Sequence, residues 1–590
     1  MFGTDTIKKK IIFNLKKAVE NSFGQDILTE DDFLIELSKE NQFGDFSWNC
    51  FKLAKKVKKN PNQIAAELAT EVELSDLVEK IENVGPYLNF FLIKEKWFKL
   101  VLEEISEQAD KYGQVDNKEP QKIIVEFSAP NTNKPQHLGH LRNILLGDSL
   151  ANLFKELGHK VTRVNLINDR GIHITKSMLA YKIWGEEKTP EDEHKKPDHF
   201  VGYYYSLFDQ KVKENPKLLT QAQEMLKKWE ESDQEIWGLW QKMNNWAMKG
   251  FQETYKKLNI DFDKWYYESE TYKLGREIIK KALDKKLCYQ REDGAIEINL
   301  EKYGFDKKVL IRADGTSIYI TQDIGLAKLK YDEYKPDLSL YVVGLEQNYH
   351  FQVLFSVLRE FGFDWVKNCH HLSYGLVYLP EGKMKSREGK VVEVDDLIHQ
   401  VKQIAKGEIL KREKEISPTE LELRAEKIAL ASIKFFFLRF KPEEDIYYNP
   451  NQEVSFEGAT GPYLQYTYAR IQGILNKEKI VPPHRDSATA VVKETKIEFS
   501  VLGNKEEMTL LKLIYNFPEI LKKSAQLYNP AQLANYLLEL CQKFNSFYHQ
   551  HQVLGQEDNL KNARLALIQS TAQILKNGLK ILGIEVLERM

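Results

Sequence analysis

The stretch Lys122–Leu157, KIIVEFSAPNTNKPQHLGHLRNILLGDSLANLFKEL, decides the fold of this chain. Its first six residues form an apolar, β-branched run that predicts a strand, and leucines spaced three or four residues apart after His137 predict a helix. Gly158 follows as the expected C-terminal cap. A second β-branched run, Val161–Ile167, completes a strand, helix, strand unit whose crossover length suits parallel strands of a doubly wound α/β sheet.

The loop between this strand and helix, Ser128–Gln136, is a candidate ligand site, because ligands of doubly wound sheets bind beyond the C-terminal ends of strands. It leads into His137-Leu138-Gly139-His140. The two imidazoles share one helix face, Gly139 lets a flat base approach the backbone, and the helix amides favour anions. The pattern predicts a triphosphate site in which imidazoles stabilise charge at the α-phosphate. On its own, it fits two ordinary histidines at a helix start equally well.

A basic loop is the second candidate feature. Gly382–Gly389, GKMKSREG, follows the strand-like run Ser373–Leu379 and is bounded by glycines. Cations on such a loop can close over phosphates and stabilise a pyrophosphate leaving group. Taken alone, the loop is better explained as a solvated basic turn.

Outward from this unit, the sequence divides into three predicted domains. Residues 1–118 mix helical patterns with short apolar runs and end in a polar linker, which predicts an α+β domain. Residues 119–395 hold the sheet, with a helical insertion at about 173–240 and a polar one at about 266–316. Residues 396–590 carry helical spacing almost throughout, which predicts an all-α bundle.

Individual elements are predicted in the last two domains. Two runs, Ser317–Thr321 and Leu338–Val343, have the composition of strands that return the chain to the sheet. Five segments of the bundle have helical spacing: Ile404–Arg412, Glu420–Phe437, Pro462–Leu475, Met508–Leu527 and Ala531–Tyr548.

Composition excludes several classes of protein. A length of 590 residues exceeds what one core usually serves and favours about three to five structural units. The net charge of −2 argues against bulk attraction to nucleic acid, so a polyanion would have to meet local basic surface. Lys52–Asn60, KLAKKVKKN, is either such a surface or, as most charge runs are, a solvated helix face.

The sequence also predicts location and metal content. Its apolar runs are far shorter than the roughly 20 residues that cross a bilayer, and Met1–Lys17 lacks the features of a targeting segment. We therefore expect a cytoplasmic protein without a membrane partner. Its cysteines are too few for a disulfide framework and form no CxxC pair, so we expect no zinc and no other metal ligands in the chain. The cysteines are Cys50, Cys288, Cys369 and Cys541.

The histidine pair and the basic loop, in this order and about 240 residues apart, together resemble the HIGH and KMSKS signatures of class I aminoacyl-tRNA synthetases. Further motifs are similar to those of arginyl-tRNA synthetases, and the resemblance extends over essentially the whole chain. These motifs are Glu126–Asn131 with Lys134-Pro135, Asp314-Gly315-Thr316 with Tyr319 and Asp323, Gly461–Arg470, and the terminal Glu588-Arg589-Met590.

The resemblance implies a Rossmann-type catalytic domain, an N-terminal domain that contacts the tRNA elbow, and a C-terminal anticodon-binding bundle. It implies ATP-dependent activation of L-arginine, with Mg²⁺, to arginyl-adenylate, and transfer to the 3′ end of tRNA(Arg). It further implies that arginine is activated only when tRNA is bound, and we expect a monomer. A small-molecule nucleotidylyltransferase and a non-catalytic RNA-binding paralogue are alternative classes. The length disfavours the first, which needs no helical C-terminal bundle, and the intact motifs disfavour the second.

The resemblance also implies an arginine site made of Glu126, Asn131, Tyr319, Asp323 and Gln347. The chemistry agrees, since carboxylates, a phenol and amides can match the planar, five-donor fork of a guanidinium better than they match an ammonium. Taken singly, each acidic residue fits a structural salt bridge or a helix cap as well.

For catalysis and ATP binding, the resemblance points to the two signature motifs and their neighbours. The implied catalytic residues are His137, His140, Lys134, Lys383 and Lys385, and the implied ATP-binding residues are His137, Gly139, His140, Val377, Lys383 and Ser386. Ser386 stands where the family has its second KMSKS lysine, so Lys134 or Lys385 would supply the missing charge. Gln136 is polar where an apolar residue is commoner, and the sequence offers no physical reason for it.

The expected tRNA contacts in the bundle are Tyr463, Tyr466 and Arg470. Aromatic side chains beside an arginine can stack unpaired bases and hold phosphates. A tyrosine series at helical spacing, which here includes Tyr468, is more often core packing.

Overall fold

The computed structural model describes residues 3–38, 40–115, 117–379, 382–383, 392–478 and 497–590. The N-terminal part packs helices on an antiparallel sheet with strand order β1-β2-β4-β3. Its elements are α1 (Gly3–Phe23), β1 (Glu36–Leu37), β2 (Phe46–Asn49), α2 (Phe51–Val57), α3 (Pro61–Glu71), β3 (Val78–Val84), β4 (Tyr87–Leu92) and α4 (Lys94–Gln108).

The strand, helix, strand unit predicted from the sequence is confirmed. Strand β5 (Lys122–Glu126), helix α5 (Leu138–Glu156) and strand β6 (Lys160–Ile167) follow one another, and β5 and β6 pair in parallel. Gly158 ends α5 in the left-handed conformation, with φ of +79°, and its N–H donates to the Lys155 carbonyl. Gly147 brings α5 close to the sheet, since a Cβ there would lie 2.3 Å from the ring of Phe127.

The segment after β6 is helical and continues past residue 240, since its last helix ends at Leu258 before the chain returns to the sheet. A second inserted unit follows, with a small antiparallel sheet of order β10-β9-β8 and an apolar cluster of its own. The elements are α6 (Ile172–Trp184), α7 (Pro197–Glu214), α8 (Lys217–Glu230), α9 (Gln234–Leu258), β7 (Lys264–Tyr267), α10 (Glu268–Thr271), α11 (Leu274–Asp284), β8 (Tyr289–Gln290), β9 (Ile296–Ile298) and β10 (Lys308–Ile311).

The chain then completes the sheet. Strand Leu338–Gly344 is confirmed, whereas the predicted strand Ser317–Thr321 is wrong, because a helix begins at Tyr319. Its Ile320 and Ile324 are buried at helical spacing, and Thr321 Oγ1 accepts a hydrogen bond from the Ile318 N–H at the helix start. The elements are α12 (Tyr319–Tyr334), β11 (Leu338–Gly344), α13 (Asn348–Glu360), β12 (Cys369–Tyr374), β13 (Val377–Leu379) and β14 (Gly382–Lys383).

The central sheet is entirely parallel, with strand order β12-β11-β5-β6-β7. The chain therefore leaves β5 toward one edge and returns beside it to build the other edge, which is the doubly wound, Rossmann-type order. The predicted α/β class is confirmed. The order reverses between β5 and β11, and the crevice beyond the carboxyl ends of these two strands is where such a sheet binds ligands.

The remaining chain forms the predicted helical bundle. All five predicted helices are present, and the last helix, Asp558–Ile581, was not among them. Among the described residues, no helix combines the length and apolar composition that a bilayer crossing requires. The elements are α14 (Val394–Arg412), α15 (Pro418–Leu438), β15 (Ile446–Tyr447), α16 (Pro450–Glu453), α17 (Gly461–Lys477), α18 (Lys505–Gln526), α19 (Ala531–Gln550) and α20 (Asp558–Ile581).

Candidate active site

The two histidines cap the N-terminus of α5 reciprocally. His137 Nδ1 accepts a hydrogen bond from the Gly139 N–H, and His140 Nδ1 accepts one from the His137 N–H, both at 3.2 Å. The two rings lie 3.9 Å apart. Because each Nδ1 is an acceptor, the proton of each neutral ring belongs on Nε2.

Burial keeps both rings uncharged. Burial, reinforced by the charge of Lys134, lowers the pKa of His137 to about 4. Burial lowers the pKa of His140 as well, with contributions from His137 and Lys134. At neutral pH the pair therefore offers two Nε2–H donors beside the helix amides, an arrangement that can stabilise charge on a phosphate without any proton uptake.

The loop before the histidines begins with a strained turn. Ser128 and Ala129 have φ of +78° and +46°, values that residues other than glycine rarely adopt. The Ser128 N–H donates to Asn143 Oδ1 at 2.5 Å, and the Ala129 N–H donates to Asn165 Oδ1 at 3.1 Å. Two asparagines from α5 and β6 thus hold the turn in place and overcome its strain.

A buried tyrosine explains the unexpected polarity of Gln136. The Tyr255 hydroxyl on α9 accepts hydrogen bonds from Gln136 Nε2 at 2.8 Å and from Asn165 Nδ2 at 3.0 Å, and it lies 2.6 Å from Ser128 Oγ. The Gln136 carbonyl also accepts a bond from the Val394 N–H at the start of α14. Gln136, which directly precedes His137, therefore links the histidine pair to the first helical insertion and to the bundle.

Three lysines were predicted to contact phosphates. Lys134 is half-buried, which lowers its pKa, and its charge acts on both histidines. Lys383 lies on β14, whose backbone pairs with β13 beside the buried Val377. Lys385 and Ser386 lie outside the described residues. The choice between Lys134 and Lys385 stays open, with Lys134 close to the imidazoles.

Two of the predicted arginine ligands, Glu126 and Asp323, flank the same buried tyrosine. The pKa of Tyr341 on β11 is raised mainly by burial, with smaller contributions from the neighbouring Cys369, Glu126 and Asp323. Glu126 ends β5 and forms a buried ion pair with Lys330 on α12. Asp323 Oδ2 lies 2.5 Å from His350 Nε2. Both carboxylates are thus at the switch point of the sheet, and each contacts a side chain of the fold.

The other three predicted arginine ligands lie on the elements around this crevice. Asn131 is half-buried on the loop after β5, where it bridges to Asn168 beyond β6. Tyr319 is 74% exposed and lies one helical turn before Asp323, on the same face of α12. Gln347 is exposed just before α13. The structure thus groups the five residues around one edge of the sheet, although their contact with arginine stays a prediction.

Glu268 is an acidic residue that the sequence analysis missed. It directly follows β7 and is 13% exposed. Burial raises its pKa to about 7, with Asp169 and Asp323 adding to the rise and Arg170 opposing it. Asp169, after β6, accepts hydrogen bonds from the N–H and hydroxyl of Ser269, and burial raises its pKa to about 6. The strand KWYY before Glu268 was the available signal, but it fell at the edge of the expected insertion.

One group of side chains has the composition of a metal site. Ligand atoms of Asp198, His199 and Asp395 lie within 4.8 Å of one another. However, the Lys196 ammonium lies 3.2 Å from Asp198 and 2.7 Å from Asp395, and Lys257 is 2.7 Å from the second Asp395 oxygen. Lysines already neutralise these carboxylates, so the cluster is an ion-pair network between the first insertion and the start of α14.

His199 contributes to this network as a cation. Burial opposes its charge, but hydrogen bonds to Asp395 and Glu393 outweigh burial and raise the pKa of His199 to about 10. Glu393 bridges to His137 through the backbone. The network therefore anchors the segment that borders the histidine pair.

The predicted tRNA contacts in the bundle form a half-buried network. Arg470 Nη2 donates to the Tyr466 hydroxyl at 3.0 Å, and Asn545 Nδ2 donates to the Tyr463 hydroxyl at 2.9 Å. Tyr468 is buried and belongs to the core. In the N-terminal domain, lysines of the Lys52–Asn60 stretch pair with nearby acids such as Asp32.

Family models match the chain in three consecutive regions. The catalytic domain of class I (R) tRNA synthetases matches residues 101–449. The DALR anticodon binding domain matches residues 464–590, and the arginyl tRNA synthetase N-terminal domain matches residues 5–92.

Individual proteins are similar over nearly the whole chain. An arginine–tRNA ligase of Parabacteroides distasonis is 41% identical over 99% of this chain and 100% of its own length. One of Treponema denticola is 42% identical over 99% of both chains. The arginyl-tRNA synthetase structure from Thermus thermophilus has a TM-score of 0.79 at 24% identity, covering 99% of this chain and all of its own. The structure from Plasmodium falciparum has a TM-score of 0.76 at 22% identity, covering 99% of each. This chain therefore belongs to the arginyl-tRNA synthetase family of the class I aminoacyl-tRNA synthetases.

Proposed function

We propose that this protein is an arginine–tRNA ligase whose active site is the crevice between β5 and β11. The single observation that carries the assignment of the site is the convergence of a neutral histidine pair and buried carboxylates at one edge of the parallel sheet. ATP, arginine and tRNA are the substrates of this family's reaction.

In the first step, the arginine carboxylate attacks the ATP α-phosphorus, and pyrophosphate leaves. ATP enters as its Mg²⁺ complex and lies at the N-terminus of α5, with Gly139 beneath the base. The Nε2–H groups of His137 and His140 donate to α-phosphate oxygens as negative charge develops on them. Lys134 adds positive charge beside them, together with Lys383 and, by its place in the signature, Lys385. Val377 and Ser386 complete the proposed ATP site.

Arginine is selected by carboxylates. Glu268 and Asp323 are close enough for their charges to interact, and together they can receive the planar fork of one guanidinium. Lysine would leave part of this acceptor set unpaired, and citrulline would turn a carbonyl toward a buried carboxylate. Tyr319 adds a phenol, and Glu126, Asn131 and Gln347 complete the proposed arginine site.

In the second step, the arginyl group moves to the 3′-terminal ribose of tRNA(Arg). Positioning and electrostatics account for both steps, and no covalent enzyme intermediate is needed. Tyr463, Tyr466 and Arg470 contact the anticodon, and the N-terminal domain contacts the tRNA elbow. The protein acts as a monomer in the cytoplasm, and it activates arginine only when tRNA is bound.

Asp323→Ala tests the arginine site. We expect it to abolish arginine-dependent ATP–pyrophosphate exchange in the presence of tRNA and to leave tRNA binding unchanged. Asp332→Ala is the matched control, since Asp332 lies on the same helix but is exposed and pairs with Lys328. Exchange at the wild-type rate in Asp323→Ala would contradict the assignment.

A further inference from the structure

Arg170, in the turn after β6, is a half-buried cation beside the arginine pocket. Its guanidinium carbon lies 4.0 Å from the ring centre of Tyr272 and 5.6 Å from that of Trp229. Its Nη2 is 2.7 Å from Glu230 Oε1, and its Nη1 is 4.0 Å from Glu268 Oε1. Its side chain is only 11% exposed, so rings and carboxylates fix its position.

The neighbouring Glu268 carboxylate depends on this cation. It is buried near two further carboxylates, those of Asp169 and Asp323, and all three features disfavour its charged form. Arg170 opposes this effect, and its charge is the largest influence on the Glu268 pKa after burial. A guanidinium substrate needs the ionised carboxylate, because a protonated carboxyl group loses the charge-assisted hydrogen bonds.

We propose that Arg170 is a positioning residue of arginine recognition, which favours the ionised form of the Glu268 carboxylate and holds it in place to share the substrate guanidinium with Asp323. The inference rests on the proposed function, in which these two carboxylates are arginine ligands. Substrate binding is still favoured electrostatically. The carboxylates of Asp169, Glu268 and Asp323 outnumber the single Arg170 guanidinium and leave an excess of negative charge for the incoming cation.

The pH dependence follows from the groups that face Glu268. Arg170 opposes protonation of Glu268, so its removal raises the pKa of Glu268 and extends the weakly binding, protonated form to higher pH. The groups that face Glu268 are Arg170, Asp169, Asp323 and Gln322. Each of the charged ones has neighbours of its own: Glu230 contacts Arg170, Ser269 and Glu270 lie near Asp169, and His350 contacts Asp323.

The test is the KM for arginine in aminoacylation, measured from about pH 6.5 to pH 9 in the full-length enzyme. In Arg170→Gln, we expect the KM near pH 7 to rise about five-fold for the first unit by which the Glu268 pKa increases, because the wild-type carboxyl, with a pKa of about 7, is already half protonated there. The KM should approach the wild-type value near pH 9. The KM for ATP should stay unchanged. Arg170→Lys keeps the charge without the planar fork, so its pH profile should lie near that of the wild type. A KM that is raised equally at every pH, or not raised, would overturn the inference.

Two further variants separate this inference from the proposed site. Glu268→Gln removes the carboxylate and should raise the KM for arginine without recovery at high pH. If Glu268→Gln leaves that KM unchanged, the proposed arginine site is wrong. If it raises the KM while Arg170→Gln keeps the wild-type profile, only the role of Arg170 is wrong. His350→Gln should retain the pH dependence, and loss of that dependence would reassign it to His350 and overturn the inference.

Discussion

Replacing Lys330 with methionine is expected to destabilise the catalytic domain, because it leaves the Glu126 charge buried without its partner. The side chains of Lys330 and Glu126 are 3% and 10% exposed, and the ammonium also lies 4.1 Å from the ring centre of Tyr341. Removing one member of a buried ion pair costs about 3–5 kcal/mol. Replacing both members with apolar side chains of similar size is often close to neutral.

Urea unfolding of Lys330→Met, Glu126→Met and the double variant measures this difference. We expect each single variant to unfold at lower urea concentration than the wild type, and the double variant to recover most of the loss. Arginine-dependent exchange separates structure from recognition, since the stable double variant should still fail to activate arginine. A Lys330→Met midpoint equal to the wild type would refute the buried-pair argument, and normal exchange in the double variant would refute the role of Glu126 as a ligand.

Three further predictions concern the histidine end of the site. At saturating arginine, the exchange rate should show no loss attributable to His137 between about pH 8 and pH 5, because its pKa of about 4 keeps the ring neutral over that range, and burial lowers the pKa of His140 as well. A loss of rate centred near pH 6.5 that His137→Gln abolishes would contradict this. Lys134→Ala should slow adenylate formation in single turnover, and a normal rate there combined with a slow Lys385→Ala enzyme would assign the replacement charge to Lys385. Tyr255→Phe should lower the free energy of unfolding by about 2–4 kcal/mol, because buried amide and hydroxyl groups lose their hydrogen-bond partner. The same variant should also slow adenylate formation. Unchanged urea unfolding and an unchanged rate would exclude a positioning role for Tyr255.

Local sequence patterns predicted the site best where they were least ambiguous. The Lys122–Leu157 stretch has strand periodicity, a polar loop and helical periodicity in order, and each appears in the fold at nearly the predicted bounds. The Ser317–Thr321 strand failed because a five-residue apolar alternation is short enough to fit the first turn of a buried helix. Helix α20 was overlooked because buried polar residues interrupt its apolar face, among them Asn577, whose amide donates to the carbonyls of Ala109 and Tyr112.

Contacts between distant segments could not be predicted from local patterns. The Lys330 partner of Glu126 is about 200 residues away in sequence, and Tyr255 meets Gln136 across more than a hundred residues. Glu268 was missed because β7 is only four residues long. Glu268 comes close to Asp323 only when the sheet is assembled.

The most direct test of the central claim is ATP–pyrophosphate exchange with each of the twenty amino acids, in the presence and absence of tRNA(Arg). A guanidinium-selective carboxylate pocket beside a neutral histidine pair predicts exchange with arginine alone, and only when tRNA is present. Exchange driven by lysine or by several amino acids, or no exchange with arginine under any condition, would contradict the account.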